Sequence, residues 1–175
     1  MVGLQQKQRR TAVLFALGAV LGVLVFFAVY GTAPLDVAND AFCRGGYIEK
    51  DIQQHYAGWL FYRENALGFP FCVTNAVNAP AGVSVAYTDS IPLLAALLRP
   101  VSNAVGGTFQ YFGWFTLICF ALQGGFGALL CGLFCESVPA CAAGSLLFSA
   151  SPILIERAFR HTSLGAQWLV LAALY

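Results

Sequence analysis

Asp51, His55, Gly58 and Tyr62 follow one another at intervals of four, three and four residues. A helix turning about 100° per residue gathers these positions within roughly 60°, placing a carboxylate, an imidazole and a phenol on one strip. A carboxylate or imidazole so placed could take a proton from a hydroxyl, and Gly58 leaves a gap where a ligand could approach the backbone. Ile52, Tyr56, Trp59 and Leu60 share an adjoining apolar face. The same pattern therefore also fits an ordinary amphipathic surface helix whose polar strip faces water. Asp89 is a second candidate carboxylate. Followed by Ser90, Ile91 and Pro92, it reads as a helix cap, and it could also orient a hydroxyl or share a site with Asp51. Arg157, Arg160 and His161 form a compact cationic group. Arginine offers phosphate oxygens a planar fork of donors; the alternative is interfacial snorkelling to lipid headgroups.

The surrounding sequence says what must hold these groups. Apolar residues make up 59% of the 175 positions and charged residues 10%, against about 25% charged in soluble domains. Residues 11–35, 100–135, 137–155 and 162–175 contain no Asp, Glu, Lys or Arg. About 20 apolar residues cross a bilayer core. The expected fold is an all-α integral membrane protein with about four transmembrane helices: 11–30, 109–134, 138–155, and a fourth starting at 164. The fourth apolar run reaches Tyr175 after 14 residues, which reads as a truncated span and an N-terminal fragment of a longer protein. Lys7, Arg9 and Arg10 precede the first span and place the tail 1–10 in the cytoplasm. A cleaved signal peptide is the competing reading, but Pro34 follows its best cut after Ala33, and a retained anchor is favoured.

Residues 31–108 then form a large extracytoplasmic loop holding Asp36, Asp40, Glu49, Asp51, Glu64, Asp89, Arg44, Lys50, Arg63 and Arg99. Within it, Tyr47–Asn65 reads as a helix and Pro70–Val85 as extended or irregular. Ile91–Leu98 reads as an apolar helix too short to cross, lying at the membrane surface or dipping in. Segment 156–163 is a second outer loop whose arginines run against the charge rule, which marks it as a candidate functional loop. Tyr30, Tyr111, Trp114 and Trp168 are candidates for interfacial rings, and Gly124, Gly125 and Gly127 for small-residue packing or a flexible point. Cys119, Cys131, Cys135 and Cys141 read as small apolar residues, with no metal site expected. Cys43 and Cys72 share the large loop, where an oxidising compartment would permit a disulfide. The net charge of +1 gives no sign of a nucleic-acid partner, and none is expected; membrane lipid is.

The strings Asp51-Ile-Gln-Gln-His-Tyr-Ala-Gly-Trp-Leu-Phe-Tyr-Arg63, Tyr87-Thr-Asp-Ser-Ile-Pro-Leu93, Phe109-Gln-Tyr-Phe-Gly113, Ser151-Pro-Ile-Leu-Ile155 and Arg160-His-Thr-Ser-Leu164 resemble a bacterial membrane-protein family of unassigned function. Its architecture is similar to the N-terminal module of the GT-C superfamily of polytopic glycosyltransferases. That resemblance implies sugar transfer from a polyprenyl-phosphate-linked donor to an extracytoplasmic acceptor. It also implies an acidic residue of the first loop as base, for which Asp51 is the nearest match and Asp89 the second. His55, Tyr62 and Arg63 are then expected as substrate contacts, with Arg157, Arg160 and His161 at the phosphate. No metal is assigned, and no cofactor is identified. The alternative is a transporter or flippase for a lipid-linked or polar solute. Transporters keep ionisable groups or broken helices at the midplane, whereas here the spans lack formal charges and only Gln110 and Gln123 supply large amides to the second span. A structural or assembly subunit, the third reading, would need none of the outer-loop charges for activity.

Overall fold

The computed structural model describes residues 2–45, 51–65 and 71–175. It is mostly helical, and it divides into two compact units: Met1–Ala33, Trp114–Ala158 and Leu164–Tyr175 form the first, Pro34–Gly113 and Phe159–Ser163 the second.

The first unit is built on two long apolar helices, α1 (Val2–Tyr30) and α4 (Phe112–Phe134), the latter entering it at Trp114. Both are long and apolar enough to cross a membrane. They approach closely because glycines remove the side chains between them. A Cβ on Gly18 would collide with the Gly124 backbone, and one on Gly22 with the Phe120 carbonyl. Leu14 packs with Ala128 and Leu129, and Phe26 meets Phe120 edge-on at 5.9 Å. Close backbone approach through small residues is the usual means of helix association where lipid surrounds the helices. Gly125 sits on the Phe15 ring and Gly127 on Phe148, so these glycines serve packing. Arg10 closes the far end of α4, donating to the carbonyls of Gly132 at 3.3 Å and Cys135 at 2.8 Å.

The span expected over 138–155 is two helices, α5 (Val138–Ser149) and α6 (Pro152–Ala158), bent by 44°. Ser151-Pro152 explains the break, since proline disfavours helical geometry in the residue before it. Taken as one span, this pair would be a third crossing. Ser145 on α5 donates to the Gly124 carbonyl at 2.9 Å, giving its buried hydroxyl an acceptor inside the apolar unit. A 3-10 turn at Thr162–Gly165 precedes the short helix α7 (Trp168–Leu174), whose Trp168 stacks on Phe126.

The second unit centres on α2 (Ile52–Glu64) and α3 (Pro92–Val105), with a two-residue antiparallel pair, β1 (Val73–Thr74) and β2 (Val83–Ser84), paired Val73 to Ser84. Ile52, Tyr56, Trp59 and Tyr62 of α2 join Val85, Ala95, Phe109, Tyr111 and Phe112 in its core. The indole of Trp59 donates to the Phe109 carbonyl at 2.7 Å. The expected α2 helix began at Tyr47, and residues 47–50 lie outside the described ones, as does Pro70 at the start of the expected irregular stretch.

Two expectations need correction. The second long helix begins at Phe112, not Phe109, because Phe109–Tyr111 is spent on this core, and Gln110 donates to the carbonyls of Pro34 at 2.8 Å and Asp36 at 2.9 Å. Tyr111 is accordingly a core residue, 2% exposed, with its hydroxyl donating to the Ser90 carbonyl. It is no interfacial ring.

Candidate functional site

Asp51 stands just before α2, half-exposed, and its carboxylate pairs with Nδ1 of His161. The second unit thus joins residues far apart in sequence, because the 159–163 segment folds into it. An imidazole bound through Nδ1 donates that N–H to the carboxylate when neutral. Nε2 is then the basic nitrogen, and the arrangement becomes an Asp–His dyad. The segment expected to meet a phosphate therefore presents its histidine to Asp51.

One helical turn on, His55 is buried at 1% exposure, with Nδ1 lacking a hydrogen-bond partner. Burial lowers its pKa below the ordinary histidine value, since a charged imidazole is poorly solvated there. The Asp89 and Asp51 carboxylates pull the other way, and His161 adds to the lowering. Asp51, Asp89 and His161 thus all act electrostatically on the His55 charge.

Asp89 reaches its position by a route unlike the one its sequence suggests. It does not cap α3; Ile91 holds that position, with Pro92 opening the helix. Asp89 instead closes a 3-10 turn over Val85–Thr88 in the left-handed conformation at φ 53°, its backbone N–H directed to the Ala86 and Val85 carbonyls. Aspartate tolerates that region better than most residues. The turn is fastened to α2 by Ser90, whose hydroxyl donates to the His55 carbonyl at 2.6 Å and lies 2.7 Å from the Thr88 hydroxyl. Gly58 matters here for the opposite reason to the one expected. Its missing side chain admits Thr88 and Ser90, which a Cβ would strike, so the gap belongs to the fold and not to a ligand.

The remaining candidates occupy other places. Tyr62 is buried beneath the Arg99 guanidinium, 4.7 Å from ring centroid to central carbon. Arg63 donates to the carbonyls of Gly107 at 2.5 Å and Ser102 at 2.8 Å, fastening α2 to the C-terminal end of α3. Arg160 is exposed beside His161. Arg157 lies in the last turn of α6, in the first unit.

Sequence reasoning missed a second polar set. Asp40 accepts from the Tyr56 hydroxyl and from Arg44 Nε, each at 2.6 Å. Burial raises the Asp40 pKa, but those donors outweigh it and hold the carboxyl below its usual range. The four-residue step from Asp40 to Arg44 was the available signal. The share taken by Tyr56 depends on tertiary contact, and burial together with that bond raises the phenol's own pKa. Cys43 is buried and Cys72 partly so; both are free thiols. Among the described residues, no group of three or more His, Cys, Asp or Glu could hold a metal ion.

Helix length and apolarity, with the polar cluster confined to one compact unit, define a mostly helical, membrane-associated protein. Residues 19–175 match the family described as domain of unknown function DUF6311, and the chain belongs to that family. No curated protein and no solved structure matches it.

Proposed function

We propose that this chain is a multi-spanning GT-C-like glycosyltransferase that moves a sugar from a polyprenyl-phosphate donor to an extracytoplasmic acceptor. The observation carrying this reading is the Asp51–His161 pair beside buried His55 and Asp89. The acceptor hydroxyl gives its proton to Nε2 of His161, and Asp51 stabilises the resulting imidazolium. The acceptor oxygen then forms a bond to the sugar's anomeric carbon. The bond from that carbon to the donor phosphate breaks, and the phosphate leaves with the electron pair. Arg160, adjacent to His161 in the chain, is assigned to the developing phosphate charge.

The setting supports a lipid-linked substrate. Leu93, Leu97, Val101 and Val105 recur every four residues along α3 and are 72%, 61%, 49% and 64% exposed, while Ala95, Arg99 and Ser102 turn inward. An apolar outer face over a polar inner one suits a helix lying in a lipid interface. In this reading residues 31–108 are extracytoplasmic.

The test is transfer of a labelled sugar from a polyprenyl-phosphate donor in membranes containing the protein. Asp51→Asn and His161→Gln are each expected to slow transfer by about a hundredfold to ten-thousandfold; unchanged transfer in either would sink the dyad. A transporter reading draws on the 44° break between α5 and α6, since broken helices line transport sites. It requires solute movement that survives Asp51→Asn.

A further inference from the structure

Arg99 lies on the inward face of α3 at 3% exposure. The Tyr62 ring covers one face of its guanidinium, and its Nε is sealed from water without an acceptor. Among the described residues no carboxylate pairs with it. Arg63 offers the contrast, its two terminal nitrogens spent on the Ser102 and Gly107 carbonyls. A buried charge without a counter-ion is costly, and an aromatic face attracts the cation while supplying no acceptor atom. The cation is therefore half-provided for: packed on its face, with Nε unanswered among the described residues.

We infer that Arg99 anchors an anion subsite that takes the phosphate of a phosphate ester, side-on through Nε–H and one terminal N–H. Two parallel donors match two phosphate oxygens, and arginine carries its charge at any physiological pH. Phosphate is favoured because, in the interfacial placement proposed above for α3, phosphate esters are the anions at hand. The subsite is separate from the dyad. Arg99 sits at Tyr62, eleven positions along the chain from Asp51 of the dyad, about 16 Å at 1.5 Å per residue. A group held there is not the phosphate leaving from a sugar at His161, and the subsite does not rest on the sugar-transfer reading.

The experiment follows thermal unfolding of the full chain in maltoside micelles, titrated separately with inorganic phosphate, farnesyl phosphate and dihexanoyl phosphatidylglycerol. The wild type is expected to gain melting temperature with at least one probe, because a ligand that binds only the folded state stabilises it. Arg99→Met should lose the response. Arg99→Lys, which keeps charge and loses the fork, should need about ten to a hundred times more probe. A response confined to the two lipidic probes assigns the subsite to a lipid headgroup; an equal response to inorganic phosphate assigns it to free phosphate. No response to any probe in the wild type, or an undiminished one in Arg99→Met, overturns the inference. Asp51→Asn should retain the response, so loss of sugar transfer and loss of anion binding are read separately.

Discussion

The His55 imidazole is buried on α2, where Ser90 of the Asp89 turn holds the residue's own carbonyl, and its charge state follows from that burial. Burial lowers the pKa against the pull of Asp89 and Asp51. A histidine whose folded pKa lies below its unfolded value lets the unfolded chain bind the proton first as pH falls. The stability linked to His55 is therefore whole above about 6.5 and declines as pH drops through that value toward the folded pKa. Melting temperatures taken between about pH 7.5 and 5.5 should fall in the wild type by a few degrees. The fall should be shallower in His55→Asn, which keeps a polar atom where Nδ1 lies but cannot titrate there. Parallel slopes in the two proteins would mean that His55 is protonated at little cost and that its burial has been misread. Asp40 contributes in the other range. With its folded pKa lowered, its contribution is present above the ordinary carboxylate value and is lost as pH falls below it, outside the window that isolates His55.

At the scale of elements, α2 and α3 were legible to different degrees. The strip of Asp51, His55 and Tyr62 and the apolar face of Tyr56 and Trp59 both follow from helical periodicity, and the helix exists. Which way its polar strip would turn did not follow, because burial of His55 depends on the Ser90 bond to its carbonyl and on the seat for Thr88 at Gly58. Local spacing points to Asp89 as a cap. The cap lost because Pro92 opens α3 one residue after Ile91, leaving Asp89 to close the preceding turn. The pairing of His161 with Asp51 has no local signal, being a contact between segments separated by most of the chain. Spacing shows a short apolar helix over Ile91–Leu98 but neither its reach to Val105 nor its outward stripe, which comes from the fold and carries a prediction. An environment-sensitive bimane on Leu97→Cys, in nanodiscs containing nitroxide-labelled lipid, should emit to the blue and be strongly quenched. The same label on Glu64→Cys, at the exposed end of α2, should report water. Equal red-shifted emission from both sites would remove α3 from the interface.

Across the whole molecule, the proposed membrane topology follows from α1. Its apolar stretch has no charge from Thr11 to Tyr30, and its 27-residue span Leu4–Tyr30 is about 40 Å long at 1.5 Å per residue, enough to bring its ends to opposite sides. Lys7, Arg9 and Arg10 at its start favour the cytoplasm for that end. Segment 159–163 folds with Pro34–Gly113 in one unit, so both loops must share a side, a condition the odd placement of Arg160 alone would not have suggested. Single cysteines introduced at Gln6, Asn75 and Arg160, in a background freed of the native thiols, test all of this with a membrane-impermeant maleimide. Asn75→Cys and Arg160→Cys are expected to label in intact cells, and Gln6→Cys only after the membrane is opened. Labelling of Gln6→Cys together with Asn75→Cys would mean that α1 does not cross. Labelling of Asn75→Cys without Arg160→Cys would separate His161 from Asp51, and the proton transfer assigned to that pair would have no structural basis.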